Sequence, residues 1–491
     1  PPADIPVNFQ IHMGDDHSSV LLGDDGVPIG APRKNLICGL TRSTVYLVAA
    51  IAVAIVLTCI VALGNAPEPA PPADIPTSLL ERFLEYVKYD TQSDDYSMTA
   101  PSTDKQLVLG NRLVVELKAL GLVDATLNEY GIVMATLPAS PDNTYPNAIG
   151  LIAHMDTSPD ASGYDVKPLQ WPITSGMDDI VLPSGDIIPF SQLCPVDTEE
   201  DPCQYLGQTL ITSSGDTLLG ADDKAGISVI MSALDAMIQN DSPHPTVRVA
   251  FTPDEEVGRG ADNFDVDVFN AFAAYTVDGG VIGELEDENF NAESGVVTFN
   301  GFNVHPGSAK DVMKNSVRAA ASFISCLPAE YAPETTEDRE PYIHPNDITP
   351  VGVTETQVHT IVRSFSDEDT DMMKQYITDC ATQAADEWEM LSHEVEFTVQ
   401  YKNMKPILDE YPEVMDLAIA AYNSQGVTPD VIPIRGGTDG ARLSYMGLPT
   451  PNMFTGAANM HSVTEWVVLE SMLKCRDIVV DLMARWSQYE E

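Results

Sequence analysis

The sequence predicts an α/β protein in which a smaller α+β domain of ferredoxin-like topology is inserted into the main domain. Two patterns lead to this prediction. From residue 77 onward, short apolar runs alternate with segments of helical periodicity, which is typical of a doubly wound sheet. Over 295–401 the alternation changes to the order strand–helix–strand–strand–helix–strand. We therefore expect a main domain over 77–294 and 402–491 and an inserted domain over 295–401.

The elements of the main domain follow from local periodicity. Apolar residues from Leu79 to Val87 recur on one stripe, which predicts an amphipathic helix. The same spacing predicts a helix over 226–240. Continuous apolar runs bounded by polar residues predict buried strands at 148–153, 247–251 and 274–277.

The elements of the inserted domain follow from a similar argument. Its predicted strands are short apolar or alternating segments, and its predicted helices carry a periodic apolar face. The strands are expected at 295–304, 348–353, 356–365 and 395–401, and the helices at 311–327 and 367–390.

Length and composition indicate a folded, strongly acidic protein. Of the 491 residues, 44% are hydrophobic, which is enough for a sizeable core. The formal net charge of −49 repels phosphate backbones, so nucleic acid is excluded as a partner. The cysteines form no Cys-x-x-Cys pair, which argues against a thiolate zinc site. Cys194 and Cys203 are close enough to form a small disulfide loop in an oxidising compartment, whereas the other five cysteines suggest no pairing.

The N-terminal 76 residues have a different character. A run of 19 uncharged residues from Val45 to Leu63 would span roughly 28 Å as a helix, close to the thickness of a bilayer core. We interpret 44–64 as a transmembrane anchor between a disordered tail over 1–43 and a linker over 65–76. Basic residues precede the run, which places the folded part on the non-cytosolic side. A cleaved secretory signal and a buried helix are the alternatives, and without an anchor we expect a cytoplasmic protein.

Five polar clusters follow predicted strands or precede a predicted helix. In open α/β sheets, ligands bind at the carboxyl ends of the strands, so these clusters are expected to converge. None of them is specific alone, because acidic residues are frequent throughout the chain. In chain order the clusters contain His154 and Asp156, Asp222 and Asp223, Asp254 to Glu256, Asp278, and His461.

Imidazole and carboxylate groups without thiolates are typical of a hydrolytic zinc site. Residues two apart on a strand point the same way, so Asp156 is expected to orient His154. Glu255 and Glu256 are adjacent and point differently, so one can bind a metal while the other reaches a water. Two Zn²⁺ ions would be neutralised by three carboxylates and a hydroxide, which favours a two-metal centre.

Longer motifs resemble those of the peptidase T family of tripeptide aminopeptidases. This family belongs to the co-catalytic dizinc peptidases, which also include carboxypeptidase G and the aminoacylases. The similarity extends from about residue 78 to residue 486, so the first 76 residues lie outside it. The motifs are IAHMDTSPD, GQTLITSSGDTLLGADDKAG, VRVAFTPDEEVGRGA, YTVDGG, NVHPGSAK and PIRGGTDGARLSYMGLPTPNMFTG.

The resemblance implies a zinc-peptidase catalytic domain that holds two Zn²⁺ ions, with the inserted domain as a lid and dimerisation domain. Asp222 would bridge the two ions. His154 and Asp278 would complete the site of one ion, and Glu256 and His461 the site of the other.

The resemblance also implies roles beyond the metal ligands. Glu255 would be the general base, and Asp156 would orient His154. His305 would reach the active site of the partner subunit in a homodimer and help to stabilise the oxyanion. Arg435 would hold the C-terminal carboxylate of the substrate.

The implied function is removal of the N-terminal residue from tripeptides, with short peptides that have a free N-terminus as substrates. One alternative keeps the metals but cleaves other amides, as a dipeptidase, a carboxypeptidase or an aminoacylase does. Another is a catalytically silent, membrane-tethered binding module, although all seven metal, base and orienting positions are intact. The segment 170–208 departs from the family pattern, so the preferred peptide length stays open.

Overall fold

The computed structural model describes residues 75–195 and 203–490. The predicted tail, the predicted anchor at 44–64 and the linker up to residue 74 lie outside these ranges. In the two described ranges, no helix is both long and apolar enough to cross a bilayer. The membrane anchor therefore stays a prediction.

The main domain is built on a mixed eight-stranded sheet, and the predicted α/β class is confirmed. The central strand Ala148–His154 runs parallel to both of its neighbours. It is buried along almost its whole length, as its continuous apolar sequence predicts. In spatial order the eight strands are Thr126–Leu127, Val133–Leu137, Thr246–Thr252, Ala148–His154, Ala273–Gly279, Asn452–Phe454, Glu284–Asn289 and Asp430–Ile434.

Several helices of the main domain pack on this sheet, and others pack on those helices or on a smaller sheet. The first is Leu79–Tyr86, which begins at a capping box formed by Ser78 and Glu81. The long helix Ala221–Gln239 packs against Ala148–His154, and its Gly226 lies so close to the carbonyl of Val277 that a Cβ atom would clash. The remaining helices are Gln106–Ala119, Phe190–Leu193, Val266–Phe269, Lys405–Leu408, Pro412–Ser424, Asp439–Tyr445 and Leu469–Trp486.

The inserted domain has the predicted strand–helix–strand–strand–helix–strand order. Its first strand begins at Asn291, four residues before the predicted start, because the chain continues from the main sheet with a single residue between strands. All neighbouring strands are antiparallel, in the spatial order Tyr342–Val351, Glu355–Ser364, Asn291–Asn300 and Ser392–Tyr401. The helices Ser316–Cys326 and Asp367–Glu387 cover one face.

The described residues also form two smaller sheets. The strands Ile180–Val181 and Ile187–Ile188 form a two-stranded ribbon. A four-stranded sheet carries the segments that lead into the candidate site, in the order Ala457–Ala458, Trp466–Val468, Thr209–Thr212 and Leu169–Pro172.

The structure contains two disulfide bonds in its described part. Cys194 bonds to Cys203, the pairing that the sequence suggested. Cys326 bonds to Cys380, although the sequence suggested no partner for either residue, so that expectation was wrong. The two cysteines are 54 residues apart and meet because the two helices of the inserted domain pack side by side.

Candidate metal centre and active-site cleft

The predicted metal ligands, together with Asp156 and Glu255, converge at the carboxyl ends of the central parallel strands. His154 is the last residue of its strand, and Asp278 is near the end of the adjacent one. A cleft of about 690 Å³ opens there. Its walls include Tyr401 from the inserted domain and Glu286 from the main sheet. The site therefore lies where parallel α/β sheets place ligands.

One group of possible ligands surrounds the imidazole of His154. Its Nε2 atom lies 2.8 Å from Oδ1 of Asp222 and 3.3 Å from Oδ1 of Asp278. The His154 side chain is almost completely buried, so its ring orientation is fixed by its surroundings. These three residues are the set that the sequence predicted for one ion.

A second group surrounds the imidazole of His461. Its Nε2 atom lies 2.8 Å from Oε2 of Glu256 and 3.4 Å from Oδ2 of Asp222. The two oxygens of Asp222 thus face different histidines, which is the arrangement that a bridging carboxylate requires. The structure brings all five predicted metal ligands together.

The carboxylate of Asp156 lies next to residues of both groups. Its Oδ1 atom lies 3.3 Å from Nδ1 of His154. The same carboxylate accepts hydrogen bonds from the backbone N–H of Glu255 at 3.0 Å and of Glu256 at 3.2 Å. Asp156 is fully buried. It therefore faces the first histidine and fixes the turn that carries the two glutamates.

The turn before Glu255 has an unusual backbone that side chains stabilise. Asp254 adopts a left-handed conformation with φ of 60°, which disfavours most side chains. Its carboxylate accepts hydrogen bonds from the backbone N–H of Ser102 and the side-chain amide of Gln106, both at 2.7 Å. This anchoring lets the 3₁₀ turn Glu255–Val257 direct its glutamates into the cleft.

Burial and like charges raise the pKa of several carboxyl groups in the cluster. Burial is the main cause for Glu256, whose pKa rises to about 8, and for Asp278, whose pKa rises to about 7. Burial also raises the pKa of Glu255 well above its usual value. The cluster therefore concentrates more negative charge than an interior without cations stabilises.

The charged forms of the two histidines and of Asp222 are instead stabilised, which raises the pKa of the histidines and lowers the pKa of Asp222. Hydrogen bonds to Asp222 and Glu256 raise the pKa of His461 to about 11. Burial disfavours the ionised form of Asp222, but hydrogen bonds from His154 and His461 hold its pKa well below the usual value. Asp222 and the two imidazoles thus stabilise each other's charged forms.

The donor set fits a divalent metal ion. Ligand atoms of His154, Asp222 and Glu256 lie within 4.8 Å of one another, and so do those of His154, Glu255 and Asp278. Nitrogen and oxygen donors of this kind suit zinc and neighbouring transition metals. Cations would also neutralise the buried carboxylates, so the electrostatics and the donor chemistry agree.

Two predicted substrate-binding residues do not join this cluster in the described structure. His305 is exposed on the inserted domain, where its Nδ1 atom accepts a hydrogen bond from the N–H of Gly307. The guanidinium of Arg435 donates to the carbonyl of Asp338 at 2.6 Å and lies over the ring of Phe290. Arg435 therefore connects the main domain to the inserted domain.

Some residues that shape the site were not predicted from the sequence. Asp439 accepts a hydrogen bond at 2.7 Å from Thr252, the last residue of a central strand. Arg442 donates at 2.8 Å to the carbonyl of Gly258, beside the glutamate turn. Both belong to the motif GGTDGAR, and the combination of adjacent glycines with polar residues was the available signal.

Glu465 was also missed. Its buried carboxylate accepts a hydrogen bond from the backbone N–H of Asp222 at 3.0 Å. The available signal was an acidic residue immediately before the apolar run WVVL, where a buried charge needs a partner.

Comparison with known proteins assigns a class to this fold and site. The model of peptidase family M20/M25/M40 matches residues 218–485, more than half of the chain. Peptidase T of Clostridium acetobutylicum is 48% identical over 415 residues, which cover 84% of this chain and 99% of that protein. Peptidase T of Bacillus subtilis is 45% identical, with 82% and 97% covered. The chain therefore belongs to peptidase family M20/M25/M40 and, within it, to the peptidase T group.

Solved structures agree on the fold. Aminopeptidase PepT from Bacillus cereus aligns with a TM-score of 0.62 at 22% identity, covering 84% of this chain and 98% of that one. A dinuclear metal-binding peptidase of the M20 family from Bacillus subtilis aligns with a TM-score of 0.54 at 13% identity, covering 83% and 96%. At these identities the likeness concerns the fold alone.

Proposed function

We propose that the chain is a metallo-exopeptidase that releases the N-terminal residue of tripeptides. The observation that carries the proposal is the sharing of Asp222 between two histidine–carboxylate groups beside Glu255. Relatives with 45–48% identity over most of the chain are peptidase T proteins, which supports the same activity.

Two zinc ions are part of the proposal. His154, Asp222 and Asp278 would hold one ion, and Asp222, Glu256 and His461 the other. When bound, the ions would polarise the peptide carbonyl and activate a water molecule. The facing of Asp222 toward both histidines supports this division of ligands.

Glu255 is the proposed general base. Its carboxylate lies within 4.8 Å of ligand atoms of His154 and Asp278, at the wall of the cleft. From there it can take a proton from the attacking water and pass it to the leaving amine. Asp156 keeps the Nε2 atom of His154 directed at the cluster by facing its Nδ1 atom.

His305 and Arg435 complete the proposal as substrate-binding residues. The exposure of His305 on the inserted domain is consistent with action on a second subunit of a homodimer. Arg435 would bind the substrate's terminal carboxylate after leaving its present carbonyl partners. Sedimentation of the full chain tests the dimer, and a monomer at the assay concentration would refute the role of His305.

We also propose that 44–64 anchors the chain with its folded part on the non-cytosolic side. The uncharged run supports the anchor, and two disulfide bonds in the described residues suit an oxidising compartment. Protease treatment of sealed vesicles tests this topology. Digestion of the folded part from the cytosolic face would refute it.

A peptide panel tests the reaction itself. Di-, tri- and tetrapeptides with free or acetylated N-termini would be incubated with the purified chain, and the products identified by mass spectrometry. We expect cleavage of the first bond of free tripeptides. Equal cleavage of acetylated tripeptides would favour an aminoacylase or a carboxypeptidase, and preference for dipeptides would favour a dipeptidase.

A further inference from the structure

Glu465 links the two loops that carry Asp222 and His461. Its carboxylate is buried, with only 1% of the residue exposed. The Oε2 atom accepts hydrogen bonds from the backbone N–H of Leu219 and Gly220, both at 2.7 Å. The Oε1 atom accepts one from the N–H of Asp222 at 3.0 Å. One side chain thus accepts hydrogen bonds from three backbone N–H groups within four residues, around a proposed bridging ligand.

These donors need such a partner. They lie at the start of the helix Ala221–Gln239, where backbone N–H groups have no partner within the helix. Gly220 occupies the position before the helix with φ of 76° and has no side chain to cap it. Asp222 itself has a non-helical ψ of 104°. Glu465 therefore supplies the cap from a distant part of the chain.

Glu465 is equally well fixed on its own side. It lies four residues after His461 and directly before the strand Trp466–Val468. That strand pairs with Thr209–Thr212, which leads toward the Asp222 loop. The N–H of Glu465 donates to the carbonyl of Ser462 at 3.1 Å, which closes the His461 loop. Both loops thus start from one small sheet, and Glu465 spans the gap between them.

We propose that Glu465 is a positioning residue for the metal position formed by Asp222, Glu256 and His461. It sets the separation of Asp222 and His461, whose facing atoms lie 3.4 Å apart. The side chain of His461 is 45% exposed, so its position depends on the loop that carries it and on its carboxylate neighbours Asp222 and Glu256. The other position depends less on Glu465, because His154 and Asp278 belong to central strands. The inference rests on the proposed two-metal centre but not on the identity of the peptide substrate.

Glu465→Gln tests the proposal with little change in volume. The amide oxygen can still accept from Leu219 and Gly220, but the amide nitrogen then faces the N–H of Asp222, donor against donor. Zinc binding to the full chain would be measured by competition with a chelator. We expect one ion to bind as in the wild type and the second to bind about 10–100-fold more weakly.

Glu470→Gln is the matched control. The carboxylate of Glu470 accepts a hydrogen bond from the N–H of Thr209 at 2.7 Å, so it also caps a segment of the same small sheet. Among the described residues, its carboxylate accepts hydrogen bonds from Thr209 and none from the Asp222 loop. We expect this variant to bind both ions as the wild type does.

The possible results separate the two proposals. Wild-type affinity for both ions in Glu465→Gln would overturn the positioning role. Equal weakening of both ions, with a matching fall in the melting temperature of the metal-free chain, would overturn it in favour of a general structural role. A wild-type chain that binds two ions but cleaves no tripeptide would refute the proposed substrate and leave the role of Glu465 standing if only the second ion weakens.

Discussion

The carboxylate of Asp156 faces the Nδ1 atom of His154 at 3.3 Å while it accepts the backbone N–H groups of the two active-site glutamates. Asp156 therefore contacts both the proposed ligand His154 and the backbone of the proposed base Glu255. The arrangement explains why an aspartate two residues after the histidine belongs to the site although it is not a proposed metal ligand.

Asp156→Asn is expected to weaken metal binding about 10–100-fold, because an amide cannot satisfy His154 and both backbone donors at once. Zinc affinity would be measured by chelator competition. Asp160→Asn is the control, since Asp160 lies 3.5 Å from Nδ1 of His461 but is 69% exposed and should contribute little. Unchanged affinity in Asp156→Asn would contradict the account.

Glu286 is expected to make the stability of the metal-free chain depend on pH. Burial raises its pKa from 4.5 to about 8, so the folded state favours the protonated form. Its contribution is complete below pH 4.5 and is lost as the pH rises toward 8, at about 1.4 kcal/mol per unit of pKa difference. Glu286→Gln should therefore flatten the decline of the free energy of unfolding between these pH values.

Urea unfolding of chelator-treated protein at several pH values measures this slope. Glu334→Gln, at an exposed glutamate, serves as the control and should leave the slope unchanged. An identical slope in wild type and Glu286→Gln would show that Glu286 ionises in the folded state as it does in the unfolded chain.

The cysteines of the described residues are expected to fall into two chemical classes. Cys194, Cys203, Cys326 and Cys380 are disulfide-bonded, whereas Cys475 is a buried free thiol. Alkylation after unfolding without reductant should label Cys475 but not the other four. Peptide mapping by mass spectrometry reads out the labels, and labelled Cys326 or Cys380 would contradict the structure.

Reduction should then destabilise the inserted domain. A disulfide across a loop of this length typically contributes 2–4 kcal/mol, so Cys326→Ser should lower the melting temperature. The bond between Cys194 and Cys203 closes a shorter loop, so Cys194→Ser should lower the melting temperature less. A larger fall in the melting temperature for Cys194→Ser than for Cys326→Ser would show that loop length does not determine how much each bond stabilises the protein.

Arg435→Ala should reduce kcat/KM for tripeptides about 10–100-fold if the guanidinium binds the terminal carboxylate, since such charged hydrogen bonds contribute about 1.5–3 kcal/mol. The loss should be small for a tripeptide with an amidated C-terminus. Arg339→Ala is the control, because Arg339 also stacks on an aromatic ring but pairs with Glu288. An equal loss of kcat/KM for the tripeptide with a free C-terminus and for the amidated tripeptide would contradict the binding role. Arg435 would then only connect the two domains.

Local patterns predicted the parts of the fold and site that depend on strand ends. His154 and Asp278 were predictable because parallel strands bring their carboxyl ends to one edge of the sheet. The residues that contact these ligands from distant parts of the chain could not be predicted in this way. Glu465 acts across more than 240 residues of sequence on the Asp222 loop, and no local spacing reports such a contact.

The pairing of Cys326 with Cys380 was hidden for a related reason. Each cysteine lies on its own helix, and periodicity predicts a buried face without stating which helices face each other. The first strand of the inserted domain was predicted to begin too late. Its first residues, Asn291 to Ser294, are mostly polar and do not read as a strand, although Asn291 to Glu293 are buried.

The most direct test combines tripeptide hydrolysis with metal content for the wild type and for Glu255→Ala. We expect the wild type to hold two zinc ions and to cleave only the first bond of a free tripeptide. Glu255→Ala should retain the metal but lose activity by about 10²–10⁴-fold, because the proton acceptor is removed. Wild-type protein that binds no metal, or a variant that cleaves tripeptides at the wild-type rate, would contradict the account.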